Sequence, residues 1–228
     1  MDSAQSVSML GRAQFARLID HTLVRSDASQ RDIMQLCDEA RRYAFATVTV
    51  NPVWVSYCAR RLADSGVGVC ACVGFPLGAS TAHMKVEEAR EAVRNGAAEV
   101  DFVINVGAMR SGFPDFVERE ILAVVRAVPD TPVKVILEAG LLSREEKISV
   151  CEMSVRSGAA FVKTSTGFCR SGATLEDVAL MRRVVGRSLG VKAAGGIRTY
   201  MDAAQMVEAG ANRIGTSAGV AIIEEMAD

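Results

Sequence analysis

The chain has 228 residues, half of them hydrophobic, and a formal net charge of −1. That length and composition suit one large domain with a sizeable core, and the near-zero charge argues against a general nucleic-acid binder. No apolar run approaches the roughly 18 residues of a membrane helix. Residues 1–11 lack a basic start followed by an apolar run, so no signal peptide is expected and a cytoplasmic location follows.

Short β-type runs alternate with longer amphipathic stretches. A strand is expected over Ile19–Thr22 and a helix over Asp32–Tyr43, where Ile33, Leu36, Cys37 and Ala40 recur at helical spacing. Strands follow at Ala46–Val50 and Gly68–Val73, then a helix over Ala82–Gly96. The series continues with strand Glu99–Ile104, helix Phe116–Val128 before Pro129, and strand Val133–Leu137. Helix Arg144–Gly158 follows Ser143, with Glu146 completing a capping box. Strand Phe161–Thr164, helix Leu175–Leu189, strand Val191–Ala194, helix Met201–Gly210 and strand Arg213–Gly215 complete the order. Gly-Ala recurs before strands at 96–97, 158–159 and 210–211, as expected of a repeated αβ unit whose helices close on glycine. Eight strands alternating with helices point to an α/β fold, a (β/α)8 TIM barrel in a single domain spanning 1–228 with a short N-terminal extension. The strand count alone also permits an open doubly wound sheet.

The six cysteines, at 37, 58, 70, 72, 151 and 169, form no Cys-x-x-Cys pattern and read as reduced thiols packed like small hydrophobes. With His21 and His83 remote in sequence from Cys70 and Cys72, no metal site is indicated, and His21 reads as a satisfied structural histidine.

Arginine outnumbers lysine 21 to five, so each lysine is informative. Lys85 and Lys147 lie in helical, polar stretches and read as solvated. Lys134, Lys163 and Lys192 fall inside strands. Strand side chains alternate faces, and in Glu99–Asn105 the even positions are apolar, so Glu99, Asp101 and Asn105 face the other way. The same parity groups Lys134 with Glu138, Lys163 with Ser165, and Asp20 with Thr22. A barrel interior would thus collect Asp20, Asp101, Lys134, Glu138, Lys163 and Lys192. Such a set is either an ion-pair network, a solvated rim, or a catalytic site. Two lysines and an acid are the parts of Schiff-base catalysis, in which a neighbouring cation or desolvation frees an amine to attack a carbonyl and an acid moves protons. Glycines after the seventh and eighth strands, in Ala194-Gly195-Gly196-Ile197-Arg198 and Gly215-Thr216-Ser217-Ala218-Gly219, stand where this fold binds phosphate. The turn Val73–Gly78 either shapes the pocket or is a rigid loop.

These stretches together resemble the deoxyribose-phosphate aldolase family along nearly the whole chain. The resemblance is carried by Ile19-Asp20-His21-Thr22-Leu23, Val73-Gly74-Phe75-Pro76-Leu77-Gly78, residues 99–108, Val133-Lys134-Val135-Ile136-Leu137-Glu138, Phe161-Val162-Lys163-Thr164-Ser165-Thr166-Gly167-Phe168, residues 192–199 and Arg213-Ile214-Gly215-Thr216-Ser217. It implies a TIM barrel that reversibly splits 2-deoxy-D-ribose 5-phosphate into acetaldehyde and D-glyceraldehyde 3-phosphate, with Lys163 forming the Schiff base. It further implies that Lys192 lowers the pKa of Lys163, that Asp101 exchanges protons through water, and that Lys134 bonds within the same network. Asp20 and Thr22 are expected beside it. Amides around Gly167, Gly195, Gly196, Gly215 and Ser217 would hold the phosphate. The expected ligands are a sugar phosphate and aldehydes, with no metal or organic cofactor, no nucleic acid and no membrane. A homodimer or higher homo-oligomer fits this reading. The alternatives are a Schiff-base aldolase for another sugar phosphate and a non-catalytic phosphate-binding barrel.

Overall fold

The computed structural model describes residues 10–169 and 171–226, and the expected N-terminal extension lies outside them. Local chemistry marks where each element begins and ends. Eight strands run β1 (Ile19–Leu23), β2 (Thr47–Val50), β3 (Gly68–Val73), β4 (Glu99–Val103), β5 (Val133–Ile136), β6 (Phe161–Lys163), β7 (Gly190–Ala194) and β8 (Arg213–Thr216). The helices are α1 (Arg12–Ala16), α2 (Gln30–Tyr43), α3 (Val55–Arg61), α4 (Ala82–Arg94), α5 (Val106–Arg110), α6 (Pro114–Ala127), α7 (Arg144–Arg156), α8 (Leu175–Val185), α9 (Tyr200–Glu208) and α10 (Gly219–Glu224). Helix α2 starts two residues earlier than its apolar spacing suggests, because Ser29 caps it and Asp32 closes a capping box. The box at Ser143 and Glu146 forms as expected. Helix α8 stops at Val185, short of Leu189, since Gly186 turns the chain at φ +55°. Gly96, Gly158 and Gly210 all have positive φ, the conformation that ends a helix and that glycine adopts without a Cβ clash.

All strands are parallel, and β1 pairs with both β2 and β8, so the sheet is a closed (β/α)8 barrel and the open alternative is excluded. The core lies between barrel and helices. Val100 and Phe102 of β4 point outward and are fully buried, as the parity argument requires. They join Ile33 and Leu36 of α2 and Ile121 and Val124 of α6 in one apolar cluster. Each such side chain contributes about 1.5–3 kcal/mol by leaving water. Among the described residues, no helix is long and apolar enough to cross a membrane.

Two lysines contradict the expectation of a solvated face. Lys147 Nζ lies 2.6 Å from Asp177 Oδ1 and ties α7 to α8. Lys85 of α4 is fully buried and donates to Glu120 Oε1 of α6 at 2.7 Å. Its ammonium also lies 5.7 Å from the Phe102 ring centroid. The other Glu120 oxygen accepts from Asn105 N. Gly74 has φ +59° and makes room for the lysine stem, since a Cβ there would fall 2.9 Å from Lys85 Cε. Neighbouring polar residues in α4 disguise Lys85, because helical spacing places one such residue in four on the inner face.

Burial lowers the Lys85 pKa and raises that of Glu120, each partner opposing the shift of the other. The pair therefore survives only as a pair. Glu120→Gln is expected to cost about 3–5 kcal/mol by leaving an uncompensated ammonium, whereas Lys85→Met with Glu120→Leu recovers most of that loss. Urea denaturation midpoints of the three proteins test this, and equal destabilisation by the single and double variants would contradict it.

Candidate active site

The strand register places the inward charges side by side. Asp101 is level with Lys134 across β4 and β5, and Lys163 is level with Lys192 across β6 and β7. Asp101 lies at the centre. Its Oδ2 accepts from Lys163 Nζ and Lys192 Nζ, each at 2.8 Å, and its Oδ1 accepts from Lys134 Nζ at 2.8 Å. Cys70 Sγ also donates to Oδ1 at 3.0 Å. Deeper in the barrel, Asp20 Oδ2 meets Lys192 Nζ at 2.5 Å, while Oδ1 accepts from Thr47 Oγ1 and Arg213 Nη1 at 2.7 Å. Glu99 Oε2 lies 2.6 Å from Lys134 Nζ and 3.0 Å from Arg213 Nη1. The expected Asp20, Asp101, Lys134, Lys163 and Lys192 thus meet in one network. Arg213 was missed. Its signal was its parity with inward Gly215, obscured by the abundance of arginine elsewhere.

Two residues that parity assigns to the interior face lie elsewhere. Strand β5 ends at Ile136, and Glu138 has φ +54°, so alternation fails before it. Its carboxylate accepts from the Thr166 amide and hydroxyl instead, bracing the loop after β6. Asn105 lies beyond the end of β4 and caps α5, its Oδ1 accepting from Ala108 N at 2.9 Å. His21 is satisfied on one side only, with Nε2 2.7 Å from Glu39 Oε2 and its buried Nδ1 without a hydrogen-bond partner among the described residues. Cys37, Cys58, Cys70, Cys72 and Cys151 are buried unpaired thiols, and Cys169 is exposed. Cys70 departs from a purely apolar role by bonding to Asp101 and Lys134.

A cavity of about 320 Å³ opens above the network at the C-terminal ends of the strands. Of the three barrel lysines, Lys163 alone lines it, its side chain 4% exposed where those of Lys134 and Lys192 are fully buried. Thr22, Gly167, Gly195, Gly196, Gly215 and Ser217 all line the same cavity. Thr22 Oγ1 donates to the Asp20 carbonyl, so it belongs to the wall and not to the ion network. Two of these glycines leave no room for a side chain. A Cβ on Gly195, at φ +94°, would approach Gly172 Cα to 3.0 Å. One on Gly215 would lie 2.9 Å from Lys192 Cε, so Gly215 both opens the cavity and lets the Lys192 stem pass. Arg198 stands at the same wall. The Phe75 ring lies 5.9 Å from Lys163 Nζ and meets Phe168 edge-on, bringing the turn after β3 against the loop after β6. The turn over 73–78 thus reaches the site through the Phe75 ring and lines none of the cavity itself.

Burial alone raises the carboxyl pKa values of Asp20 and Asp101, but the surrounding cations prevail. Lys192, Lys134 and Arg213 hold Asp20 well below the usual carboxylate range, and Lys134, Lys163 and Lys192 do the same for Asp101. Burial likewise works against the charges of Lys134 and Lys192, yet Asp101 and Asp20 hold both ammoniums above their ordinary range. The Cys72 thiol is pushed up to about 12, chiefly by burial, and stays neutral. The arrangement offers one amine to the cavity, backed by permanent charges of both signs.

The family model described as DeoC/LacD family aldolase matches residues 15–225. A deoxyribose-phosphate aldolase from Caldanaerobacter subterraneus subsp. tengcongensis is 56% identical over 213 residues, 92% of each chain. One from Streptococcus sanguinis is 55% identical, covering 91% of this chain and 94% of the relative. Among solved structures, a putative deoxyribose-phosphate aldolase from Coccidioides immitis is 42% identical with a TM-score of 0.92, covering 99% of this chain and 88% of that one. A deoxyribose phosphate aldolase from Aeropyrum pernix, described as tetrameric, is 34% identical with a TM-score of 0.89, covering 98% and 97%.

A carboxylate with a lowered folded pKa stabilises the fold above its unfolded value, near pH 4, and loses that contribution as pH falls towards the folded value. Asp20→Asn should therefore lower stability by about 3 kcal/mol or more at pH 7, with the deficit against wild type constant from pH 5 to 8 and shrinking below about pH 4. Urea midpoints of both proteins across pH 3–8 give the comparison. An undiminished deficit at pH 3 would contradict the assignment.

Proposed function

The chain belongs to the DeoC/LacD family of aldolases, and we propose that it reversibly cleaves 2-deoxy-D-ribose 5-phosphate to acetaldehyde and D-glyceraldehyde 3-phosphate through a Schiff base on Lys163. The observation that carries this reading is the access of Lys163 to a glycine-walled cavity while its two companion lysines stay sealed beneath. Lys163 without its proton attacks C1 of the open-chain sugar, and loss of water leaves an imine. The C3 hydroxyl then gives up its proton as the C2–C3 bond breaks, and the electron pair passes to C2 and the imine nitrogen as an enamine. Glyceraldehyde 3-phosphate leaves. C2 takes up a proton, and water hydrolyses the resulting imine to release acetaldehyde and the amine.

Asp101 and Lys192 serve these proton movements. Asp101 Oδ2 is shared by both ammoniums, so a proton leaving Lys163 has an acceptor already in contact and a second amine beside it. Lys134 fixes the other carboxylate oxygen. At the far end of the cavity, the backbone around Gly167, Gly195, Gly196, Gly215 and Ser217 receives the phosphate, as loops after the last strands do in this fold. The Phe75 and Phe168 rings restrict water around the imine. The Aeropyrum pernix relative supports a homo-oligomeric state, and a cytoplasmic location agrees with a metabolic substrate.

Borohydride added with substrate should trap a two-carbon adduct on Lys163, located by peptide mapping. Lys163→Ala should lower turnover by at least about 10⁴-fold with the fold intact, and Lys192→Met by about 10²- to 10⁴-fold. Acetaldehyde release separates this substrate from other sugar phosphates. A folded protein that turns substrate over with no adduct at Lys163 would sink the mechanism.

A further inference from the structure

The charges inside the barrel do not balance while every group is ionised. Four cations, Lys134, Lys163, Lys192 and Arg213, face three carboxylates, Asp20, Glu99 and Asp101. Every strand contributes to this interior. Strand β1 gives Asp20, β4 gives Glu99 and Asp101, and β5, β6, β7 and β8 give one cation each. Strand β2 supplies only the Thr47 and Thr49 hydroxyls, and β3 supplies Cys70 and Cys72, whose thiols burial keeps neutral. Glu138 lies at the rim beyond the end of β5, bonds to the neutral Thr166 amide and hydroxyl, and among the described residues forms no ion pair with these four cations. The ion-paired network therefore carries one positive charge in excess, and it reaches neutrality when one ammonium gives up its proton.

We infer that the Arg213–Glu99 pair at the floor of the barrel is a positioning pair that sets the charge balance above it, making Lys163 the lysine that must be neutral. Arg213 supplies the third permanent cation. With it, Lys134, Lys192 and Arg213 match the three carboxylates in full, and a proton on Lys163 is surplus. Without it, the two companion lysines face three carboxylates, and a proton on Lys163 is needed to balance them. Removing the Glu99 charge has the opposite effect. Two further observations fit. Asp20 and Glu99 hold the Arg213 guanidinium charged against the opposing effect of its burial. The Phe161 ring lies 5.3 Å from the guanidinium carbon, and the missing side chain at Gly190 leaves that ring its place, since a Cβ would fall 2.1 Å from Phe161 Cδ1. The guanidinium is thus held by two carboxylates and a ring, and it takes no part in the cavity lining.

The inference rests on the Schiff-base reading, and its test separates the two. A unit charge about 10 Å away at an effective dielectric of about 20 moves a proton equilibrium by about one pH unit. In Arg213→Gln, the acid limb of kcat/KM for deoxyribose 5-phosphate should move to higher pH by about that much. In Glu99→Gln it should move to lower pH, and Arg213→Lys should restore the wild-type limb. A purely structural role would lower the whole profile and move neither limb. The same shifts should appear in the pH dependence of Lys163 labelling by an amine-reactive reagent, followed by mass spectrometry, which needs no turnover. Limbs that coincide with wild type, or that move in the same direction in both charge-removing variants, would overturn the inference. Should Arg213→Gln fail to fold, Glu99→Gln decides alone, with a downward shift supporting the inference and no shift overturning it. Absence of acetaldehyde and of a borohydride adduct in the wild type would instead overturn the parent reading, and the labelling shifts would still decide the charge balance.

Discussion

One carboxylate organises the interior of this barrel. Asp101 is fully buried, and a lone anion there would be prohibitively expensive. Three lysine side chains remove that cost by bonding to its two oxygens. Each of those lysines comes from a different strand, so the bond lengths around Asp101 constrain the register of β4 through β7 as well as the chemistry. The same carboxylate touches the amine that reaches the cavity. Stability of the barrel and reactivity of Lys163 are therefore two properties of one hydrogen-bonded group.

The site is layered along the barrel axis. Arg213, Glu99 and Asp20 form a floor, Asp101 with Lys134 and Lys192 a middle, and Lys163 with the glycine loops an open top. Permanent charge lies below and exchangeable charge above. Small residues make this geometry feasible. Gly215 yields space to the Lys192 stem, and Gly195 lets two loops approach. On the outer side, the buried Lys85–Glu120 pair anchors the base of the turn that carries Phe75, whose ring stands over Lys163.

Much of this was legible in the chain because strands alternate strictly. Parity along β1 and β4 through β7 identified Asp20, Asp101, Lys134, Lys163 and Lys192 as one inward set, and the glycines after the last two strands marked the opposite wall. Alternation also explains the failures. Glu138 and Asn105 were counted past the ends of β5 and β4, where the backbone leaves the pleat. Lys85 was hidden because a helix does not alternate, and a polar sequence around an inward lysine resembles a solvated surface. Arg213 was obscured by its own residue type, since arginine serves as the ordinary surface cation of this chain. The closure of the sheet was not in the pattern either: eight strands are compatible with an open sheet, and only the pairing of β1 with β8 distinguishes the two.

That last pairing has a consequence for how the molecule comes into being. Asp20 lies on the first strand, and two of its cationic partners, Lys192 and Arg213, lie on the seventh and eighth. During synthesis the carboxylate emerges from the ribosome long before either cation exists. A β1–β4 intermediate cannot bury Asp20 or Asp101 without stranding an anion, since the lysines that hold Asp101 come from β5, β6 and β7, so these groups stay in water until the later strands arrive. The electrostatics of the finished site thus make burial of the first strand wait for the last two, whose Lys192 and Arg213 hold the Asp20 carboxylate.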